Sequence, residues 1–257
     1  MESRGMTDAA TPASPELDAV GSFECAEESA HYAFSVQLLL HEYAAVLPWR
    51  EEGVAELGSG DARAIGRVVR ALPGLRVHGT DISAPSVRRA RATIDELGVA
   101  GRYTVEHGDF FDWADSAAGR GVSTVIANPP YIPAPDSDIL MPELWGGEHG
   151  NDLVLRLLKA GFDHLLIAVP SYSDPAETLA TAADLGYRVV NFLAMGLEFG
   201  RYSSEPKVAR HIRRLVTEGH GWAGEDEYVV AVALLSRSPE VSRDRSGQLR
   251  RALQLPR

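Results

Sequence analysis

The chain has 257 residues, of which 45% are hydrophobic, and its composition does not change midway, so it predicts one domain with a sizeable buried core. The formal net charge of −11 opposes the long-range attraction to phosphates that nucleic-acid-binding proteins use. No apolar stretch approaches the length of a transmembrane helix, and the polar, acidic amino end does not resemble a signal peptide, which predicts a cytoplasmic protein without membrane contact.

Cysteine and histidine usage gives no sign of a disulfide framework or a metal centre. Cys25 is the only cysteine, and the eight histidines show no paired ligand spacing. We therefore predict no metal site, and we interpret Cys25 as an incidental residue of a mobile tail.

The amino-terminal part is predicted to be a polar tail followed by one helix. Residues 1–27 are rich in Ala, Ser, Thr, Pro and acids, which is typical of disorder. Residues 28–47 carry aromatic and apolar side chains, including Tyr32 and Leu39, at helical spacing. We expect this helix to lie over the ligand pocket as a lid.

The next segment has the pattern that opens a doubly wound nucleotide-binding fold. Residues 54–57 form a short apolar strand, Gly58-Ser59-Gly60 follows, and residues 64–72 carry apolar side chains at helical spacing. In such folds the backbone N–H groups at the helix start face the ligand. Gly58 and Gly60 are therefore predicted ligand-binding residues.

Two further strand patterns end in acidic residues. Residues 76–80 lead to Asp81, at the distance from the glycines where a carboxylate accepts ribose hydroxyls. Residues 103–107 lead to Asp109, with Phe110 beside it. The strand ends together predict a ribose acceptor and a polar and aromatic adenine site.

The most informative segment is the corner Asn128-Pro129-Pro130-Tyr131, which follows a buried strand pattern at residues 123–127. The prolines restrict φ and keep Asn128 out of the helical region, so the turn is rigid without a ligand. The Asn128 side-chain oxygen and the Pro129 carbonyl can each accept one N–H of a planar NH2 group, while the Tyr131 ring packs on its face. An ordinary proline-rich turn is the alternative interpretation.

The remaining pattern completes an α/β fold with a seven-stranded, mostly parallel sheet and a C-terminal antiparallel hairpin. Right-handed crossovers place the loops after the parallel strands along one edge. The predicted later elements are a helix at 151–160, a strand at 164–169, a helix starting at Asp174-Pro175, strands at 188–195 and 228–236, an insertion at 197–224 and a polar tail at 238–257.

Four motifs in order resemble those of class I S-adenosylmethionine-dependent methyltransferases of the amino-methylating branch. They are Glu56-Leu57-Gly58-Ser59-Gly60, Gly79-Thr80-Asp81-Ile82, Gly108-Asp109-Phe110 and Asn128-Pro129-Pro130-Tyr131. The later segment Leu144-Trp145-Gly146-Gly147-Glu148-His149-Gly150 resembles release-factor glutamine methyltransferases. The likeness runs from about residue 53 to residue 170, and more weakly to residue 236.

This resemblance implies a methyltransferase domain at residues 28–237 that binds S-adenosyl-L-methionine. It implies a catalytic role for Asn128, Pro129 and Tyr131. The implied cofactor-binding residues are Glu56, Gly58, Gly60, Asp81, Ile82, Asp109, Phe110 and Asn128. The alternative role for Glu56 is to hold the glycine loop by accepting backbone N–H groups.

The chain departs from the release-factor pattern in three places. Ala62 stands where the loop usually has a third glycine, and we expect it to be small enough for the helix to approach. The usual proline-and-arginine stretch before the catalytic domain is missing, and 53 residues precede the first strand where those enzymes carry a separate helical domain.

These departures leave the methyl acceptor open. A small molecule or peptide with a carboxamide, amidine or amino group ranks narrowly first, ahead of a protein glutamine. An RNA or DNA base ranks lower because of the acidity, and a non-catalytic cofactor-binding scaffold or a nicotinamide dehydrogenase ranks lowest. The basic stretch from Arg201 to Arg214 is either an anion site or the solvated face of an amphipathic helix.

Overall fold

The computed structural model describes residues 25–255, which form one α/β domain around a seven-stranded sheet. The helices are α1 (Ala26–Glu42), α2 (Arg63–Ala71), α3 (Ala84–Glu96), α4 (Phe110–Ala114), α5 (Asp152–Lys159), α6 (Pro175–Asp184), α7 (Pro206–Glu218) and α8 (Ser246–Ala252). The strands are β1 (Val54–Leu57), β2 (Val77–Asp81), β3 (Tyr103–His107), β4 (Thr124–Ala127), β5 (His164–Pro170), β6 (Arg188–Glu198) and β7 (Glu227–Ser236).

The strand order is β3-β2-β1-β4-β5-β7-β6, with β7 antiparallel to both of its neighbours and the other pairings parallel. Every residue of β1, β4 and β5 is buried, because helices cover both faces of a parallel sheet. This confirms the predicted class I methyltransferase fold with its antiparallel C-terminal end.

The sheet register explains why the predicted site residues converge. Leu57 pairs with Thr80 on one side and with Ala127 on the other. The next residue on each strand is therefore Gly58, Asp81 or Asn128, and these three lie side by side at the carboxyl edge of the sheet.

The predicted lid helix is shorter than expected. It spans Ala26–Glu42, whereas the pattern predicted residues 28–47, so the prediction of its C-terminal end was wrong. Residues 43–47 form turns, in which the amides of Val46 and Leu47 both donate to the Tyr43 carbonyl. Pro48 follows, and a proline disfavours the helical conformation of the residue that precedes it. Residues 1–24 of the predicted tail lie outside the described residues.

The carboxyl-terminal segment differs from the predicted polar tail. It contains α8, which packs against β6, and Leu249 and Leu253 are fully buried. The two leucines have helical spacing, but the helix is only seven residues long, which is too short for a periodic pattern to stand out. No helix among residues 25–255 has the length and apolar character needed to cross a membrane.

Candidate active site

The carboxyl edge of the sheet carries a pocket of about 470 Å³. All the predicted site residues line it: Glu56, Gly58, Gly60, Asp81, Ile82, Asp109, Phe110, Asn128, Pro129 and Tyr131. Helix α1 contributes Glu28, Ser29 and Tyr32 to the same pocket, as expected for a lid. The volume falls in the range of small-molecule and cofactor sites.

The glycine loop takes backbone conformations that L residues rarely adopt. Gly58 and Gly60 have φ values of 76° and 55°, and Ala62 has a φ of 60°. Besides the approach of the helix, the backbone conformation favours glycine at position 62, because glycine adopts a left-handed φ without strain. Alanine pays about 1–2 kcal/mol for such a φ. The Ala62 side chain is buried in the core, which offsets part of that cost.

The Asp81 carboxylate is already fixed in place at the end of β2. One oxygen accepts the Gly60 amide at 2.9 Å, and the other accepts the Ser83 amide at 2.8 Å. Each oxygen retains lone-pair capacity for a further donor. Asp81 therefore couples the glycine loop to β2 and can also accept hydroxyl groups of a ribose.

The predicted adenine side combines apolar surfaces with the Asp109 carboxylate, which already has partners within the protein. Ile82 is 77% exposed although it lines the pocket, whereas Phe110 is buried. Asp109 caps α4 by accepting the Phe111 amide at 2.6 Å, and its second oxygen lies 3.5 Å from an Arg156 nitrogen. Ile82 thus has apolar surface that a flat ligand ring could cover.

Glu56 is buried behind the glycine loop. The Tyr103 hydroxyl donates to its carboxylate, and no loop amide within residues 25–255 does so, which does not support a role in holding the loop through backbone N–H groups. Burial raises the pKa of Glu56 to about 8, and the Tyr103 hydrogen bond only partly opposes that rise. A cationic ligand group would favour the ionised carboxylate.

Three buried polar atoms of the pocket have no hydrogen-bond partner among the described residues. They are Tyr32 Oη, Ser59 Oγ and Asn128 Oδ1. Buried polar atoms in native proteins are usually paired, so three orphans in one pocket indicate a polar ligand. Tyr32 Oη and Ser59 Oγ, together with the Asp81 carboxylate and Ile82, fit a cofactor that combines an amino-acid group, a ribose and a flat base.

The Asn128 corner is held by a residue that the sequence analysis placed only at the start of a helix. The Glu28 carboxylate accepts Asn128 Nδ2 at 2.9 Å, the Tyr131 hydroxyl, and the Tyr228 hydroxyl at 3.4 Å. Glu28 is 2% exposed, and burial raises its pKa despite these hydrogen bonds. Because Glu28 binds the nitrogen of the Asn128 amide, Oδ1 is the end left for a ligand.

The corner also rests on the loop at residues 144–150. The Ile132 amide donates to the Leu144 carbonyl, and the Gly146 amide donates back to the Ile132 carbonyl. A Cβ at Gly146 would lie 2.6 Å from Tyr131 Cα, and one at Gly150 would lie 2.5 Å from the Tyr131 carbonyl oxygen. Glycines are therefore required here because the loop backbone touches the backbone of the corner.

Two structural findings bear on charged residues that the sequence left open. In the basic stretch, Lys207 pairs with Asp136 and Arg214 with Glu148, while Val208, Ile212 and Leu215 are buried, as predicted for an amphipathic helix. Separately, two histidines that show no paired spacing in the sequence lie close together in the fold. His149 and His220 both contact the Asp174 carboxylate.

No protein-family model matches the chain. It is 29% identical over 191 residues to the release factor glutamine methyltransferase of Gloeobacter violaceus, covering 70% of this chain and 58% of that protein. It is 30% identical over 140 residues to the enzyme of the same name from Thermosynechococcus vestitus, covering 50% and 47%. It is 32% identical over 119 residues to the ribosomal protein uL3 glutamine methyltransferase of Burkholderia pseudomallei, covering 41% and 38%. The chain thus spans about half the length of these relatives.

Solved structures show a distant likeness. The magnesium protoporphyrin IX methyltransferase of Synechocystis, with bound S-adenosyl-L-homocysteine, aligns over 85% of this chain and 90% of its own, with a TM-score of 0.48 and 14% identity. A SAM-dependent methyltransferase of Thiobacillus denitrificans aligns over 80% and 92%, with a TM-score of 0.43 and 20% identity. The curated relatives confirm the resemblance predicted from the motifs: the chain is similar to class I S-adenosylmethionine-dependent methyltransferases, with release factor glutamine methyltransferases among its relatives.

Proposed function

We propose that this protein is an S-adenosyl-L-methionine-dependent N-methyltransferase that acts on a planar nitrogen. The observation that carries the proposal is the Asn128 amide. Its nitrogen is held by Glu28, its oxygen is buried and unpartnered among the described residues, and Asn128 is one of the residues that line the pocket. A buried acceptor without a partner, in a residue that lines the pocket, favours a hydrogen-bond donor on the second substrate.

The corner offers two acceptors for one NH2 group. They are Asn128 Oδ1 and the Pro129 carbonyl, to which no hydrogen bond from residues 25–255 is directed. A planar NH2 that donates to both has its hydrogens fixed in one plane, and the Tyr131 ring can pack on that plane. The nitrogen lone pair is then oriented without a strong base, which is catalysis by alignment.

S-adenosyl-L-methionine, when bound, would supply a methyl group activated by its sulfonium, with S-adenosyl-L-homocysteine as the leaving group. The acceptor nitrogen gains the methyl group and releases a proton to solvent. The chain contributes a rigid, largely buried corner: Pro129 and Tyr131 are buried, and the Glu28 network fixes the side chains of Asn128 and Tyr131. Such preorganisation lowers the barrier because no reorganisation is needed during the reaction.

For the acceptor we propose a primary carboxamide, with the side chain of a protein glutamine now ranked ahead of a small molecule. The names of the curated relatives support this order, since they are called glutamine methyltransferases of release factors and of a ribosomal protein. The loop at Gly146 and Gly150, which resembles theirs, lies against the corner and supports it further. A nucleic-acid base ranks lower because the net charge is −11 and two cations of the basic stretch are paired.

The test is an acceptor screen with methyl-labelled cofactor. The full chain is incubated separately with bacterial release factors, ribosomal proteins, total RNA and a metabolite extract. We expect label on a glutamine side chain of a protein, lost in the Asn128→Ala variant. Label confined to RNA or to a metabolite would overturn the proposal of a protein glutamine as the acceptor. Absence of label in every fraction would overturn the proposal that the protein is a methyltransferase.

The methyltransferase and a nicotinamide dehydrogenase are separated by binding alone, whereas a non-catalytic cofactor-binding scaffold is separated from the enzyme by the acceptor screen. Calorimetric titration with S-adenosyl-L-homocysteine and with NAD distinguishes the two cofactors directly. We expect heat only with the first. Binding of NAD in its place would reject the methyltransferase.

A further inference from the structure

A cluster of His149, Asp174 and His220 lies outside the pocket lining, and we refer to it as the His–Asp–His cluster. His149 Nδ1 lies 2.8 Å and His220 Nδ1 lies 2.7 Å from the same oxygen, Asp174 Oδ2. The ligand atoms of the three residues all lie within 4.8 Å of one another. The Asp174 side chain is 4% exposed, while those of His149 and His220 are 32% and 38% exposed.

Three separate segments build this cluster. His149 belongs to the loop at residues 144–150, Asp174 precedes α6, and His220 follows Gly219 at the end of α7. The two imidazole rings meet edge to face with centroids 4.6 Å apart. Their convergence on one oxygen is therefore produced by the tertiary fold and not by a local turn.

The backbone of Asp174 supports a defined role for its carboxylate. Its φ is 41°, one of three positive values at non-glycine residues in the described chain. Oδ1 accepts the Glu177 amide at 3.0 Å as the cap of α6, and this leaves Oδ2 to face the two histidines. Helix capping explains Oδ1, but it does not explain why two imidazole nitrogens approach Oδ2.

We propose that the His–Asp–His cluster binds one divalent transition-metal ion, with Zn²⁺ as the best fit. Two imidazole nitrogens and one carboxylate oxygen are ligands that Zn²⁺ prefers, and three protein ligands leave a fourth position for water. Metal–ligand bonds of about 2.0–2.2 Å require the N···O contacts to lengthen by about half an ångström. The exposed histidines have room to make that adjustment.

Proton balance is simple at this site. Without metal, each imidazole donates an Nδ1 proton to Asp174 Oδ2. With metal, both histidines take the tautomer that carries the proton on Nε2, so that Nδ1 offers its lone pair. The positive end of the α6 dipole opposes a cation, but the Asp174 carboxylate lies between that end and the histidines. The Glu177 amide donates to Oδ1 and thereby holds the Asp174 carboxylate in its orientation.

Metal binding would stiffen one side of the Asn128 corner. Ser173, the neighbour of Asp174, donates its hydroxyl to the Tyr131 carbonyl at 2.8 Å. Gly150, the neighbour of His149, lies against the same carbonyl. An ion at the cluster would link the segments that carry Ser173 and Gly150 to each other and to the end of α7. This consequence rests on the proposed function, whereas metal binding itself does not.

The test uses the full chain, free of any affinity tag and treated with chelator. Zn²⁺ is titrated calorimetrically, and Co²⁺ binding is followed through the visible absorption of a tetrahedral site. We expect one equivalent of either metal, with affinity reduced at least tenfold in His149→Gln and in His220→Gln. The exposed His41→Gln is the matched control and should bind like the unchanged chain.

The histidine variants leave the Asp174 cap intact but each changes one donor to Oδ2, so their thermal unfolding without metal should show a folded chain with at most a small decrease in midpoint. Added Zn²⁺ should raise the midpoint for the unchanged chain and for His41→Gln only. Sub-stoichiometric binding, or binding that survives both cluster variants, would overturn the proposal. Loss of metal binding with S-adenosyl-L-homocysteine binding retained would support it, even if no methyl acceptor is found.

Discussion

The two sides of the pocket are built in different ways. The cofactor edge, made of Gly58, Gly60 and Asp81, is assembled from neighbouring strand ends, and its hydrogen bond between Gly60 and Asp81 spans 21 residues. The acceptor wall, made of Glu28, Asn128 and Tyr131, is assembled across 100 to 103 residues. The cofactor edge can therefore be recognised from local sequence motifs, whereas the acceptor wall depends on how distant segments pack.

The largest effect is predicted for Asn128→Ala, which removes the proposed acceptor oxygen from the acceptor wall. We expect turnover to fall by about 10²–10⁴-fold, because the nitrogen is no longer aligned. Affinity for S-adenosyl-L-homocysteine, measured calorimetrically, should stay within a few-fold. Asn191→Ala removes another largely buried amide outside the pocket and should keep normal turnover. Equal activity in both variants would reject the role of Asn128.

The next effect concerns stability at the cofactor edge. The folded pKa of Glu56 is about 8, above its ordinary value of 4.5, so the folded state holds an extra proton between those values. Stability conferred by protonated Glu56 is therefore full below about pH 4.5 and is lost as pH rises to about 8. At about 1.4 kcal/mol per pKa unit, the loss amounts to a few kcal/mol.

Urea unfolding at pH 5 and pH 8.5 measures that loss. Glu56→Gln keeps a hydrogen-bond partner for Tyr103 and removes the titration, so its free energy of unfolding should change less between the two pH values. If the two chains show the same pH dependence, Glu56 has no raised pKa.

A third prediction concerns Glu28, which would act as a positioning residue for the acceptor wall. In Glu28→Gln the charge that holds Asn128 Nδ2 is lost, and we expect kcat to fall about 10- to 100-fold. The KM for the cofactor should change little. Glu27→Gln alters the exposed neighbour in the same helix and is the matched control. A rise in cofactor KM without a change in kcat would place Glu28 on the cofactor side.

The smallest effect is predicted for the converse substitution, which changes the cofactor edge and leaves the acceptor wall intact. Asp81→Asn should weaken S-adenosyl-L-homocysteine binding about tenfold, since the amide accepts fewer donors than a carboxylate. The kcat at saturating cofactor should remain within a few-fold. Asp95→Asn changes an exposed acid of α3 and should have no effect. A loss of kcat in place of affinity would contradict the separation of the two sides.

Much of the fold was predictable because its signals are local. Strand β3 has the predicted bounds, and the cap and proline at Asp174-Pro175 correctly marked the start of α6. Errors arose where tertiary contacts override a pattern. Helix α1 ends before the turn that leads to Pro48, and α8 is stabilised by burial of Leu249 and Leu253 against the sheet. Helix α4 was missed because five residues are too few to show a helical period.

The candidate site divides in the same way. Each predicted pocket residue lies near the carboxyl end of a parallel strand or just after it, because parallel strands joined by right-handed crossovers end on the same side. Glu28 had no local signal, since a glutamate in the first turn of a helix is ordinary. Its burial beside Asn128 depends on where α1 docks.

The sequence by itself determined the order of the strands and of the longer helices, the glycine loop and the rigid corner at Asn128, because backbone preferences and hydrophobic periods act over a few residues. Only the tertiary structure decided which end of the Asn128 amide is free, which carboxylate is buried beside it, and that His149 and His220 meet on Asp174. Those pairings join residues 25 to 200 positions apart, and packing of the whole domain brings them within bonding distance.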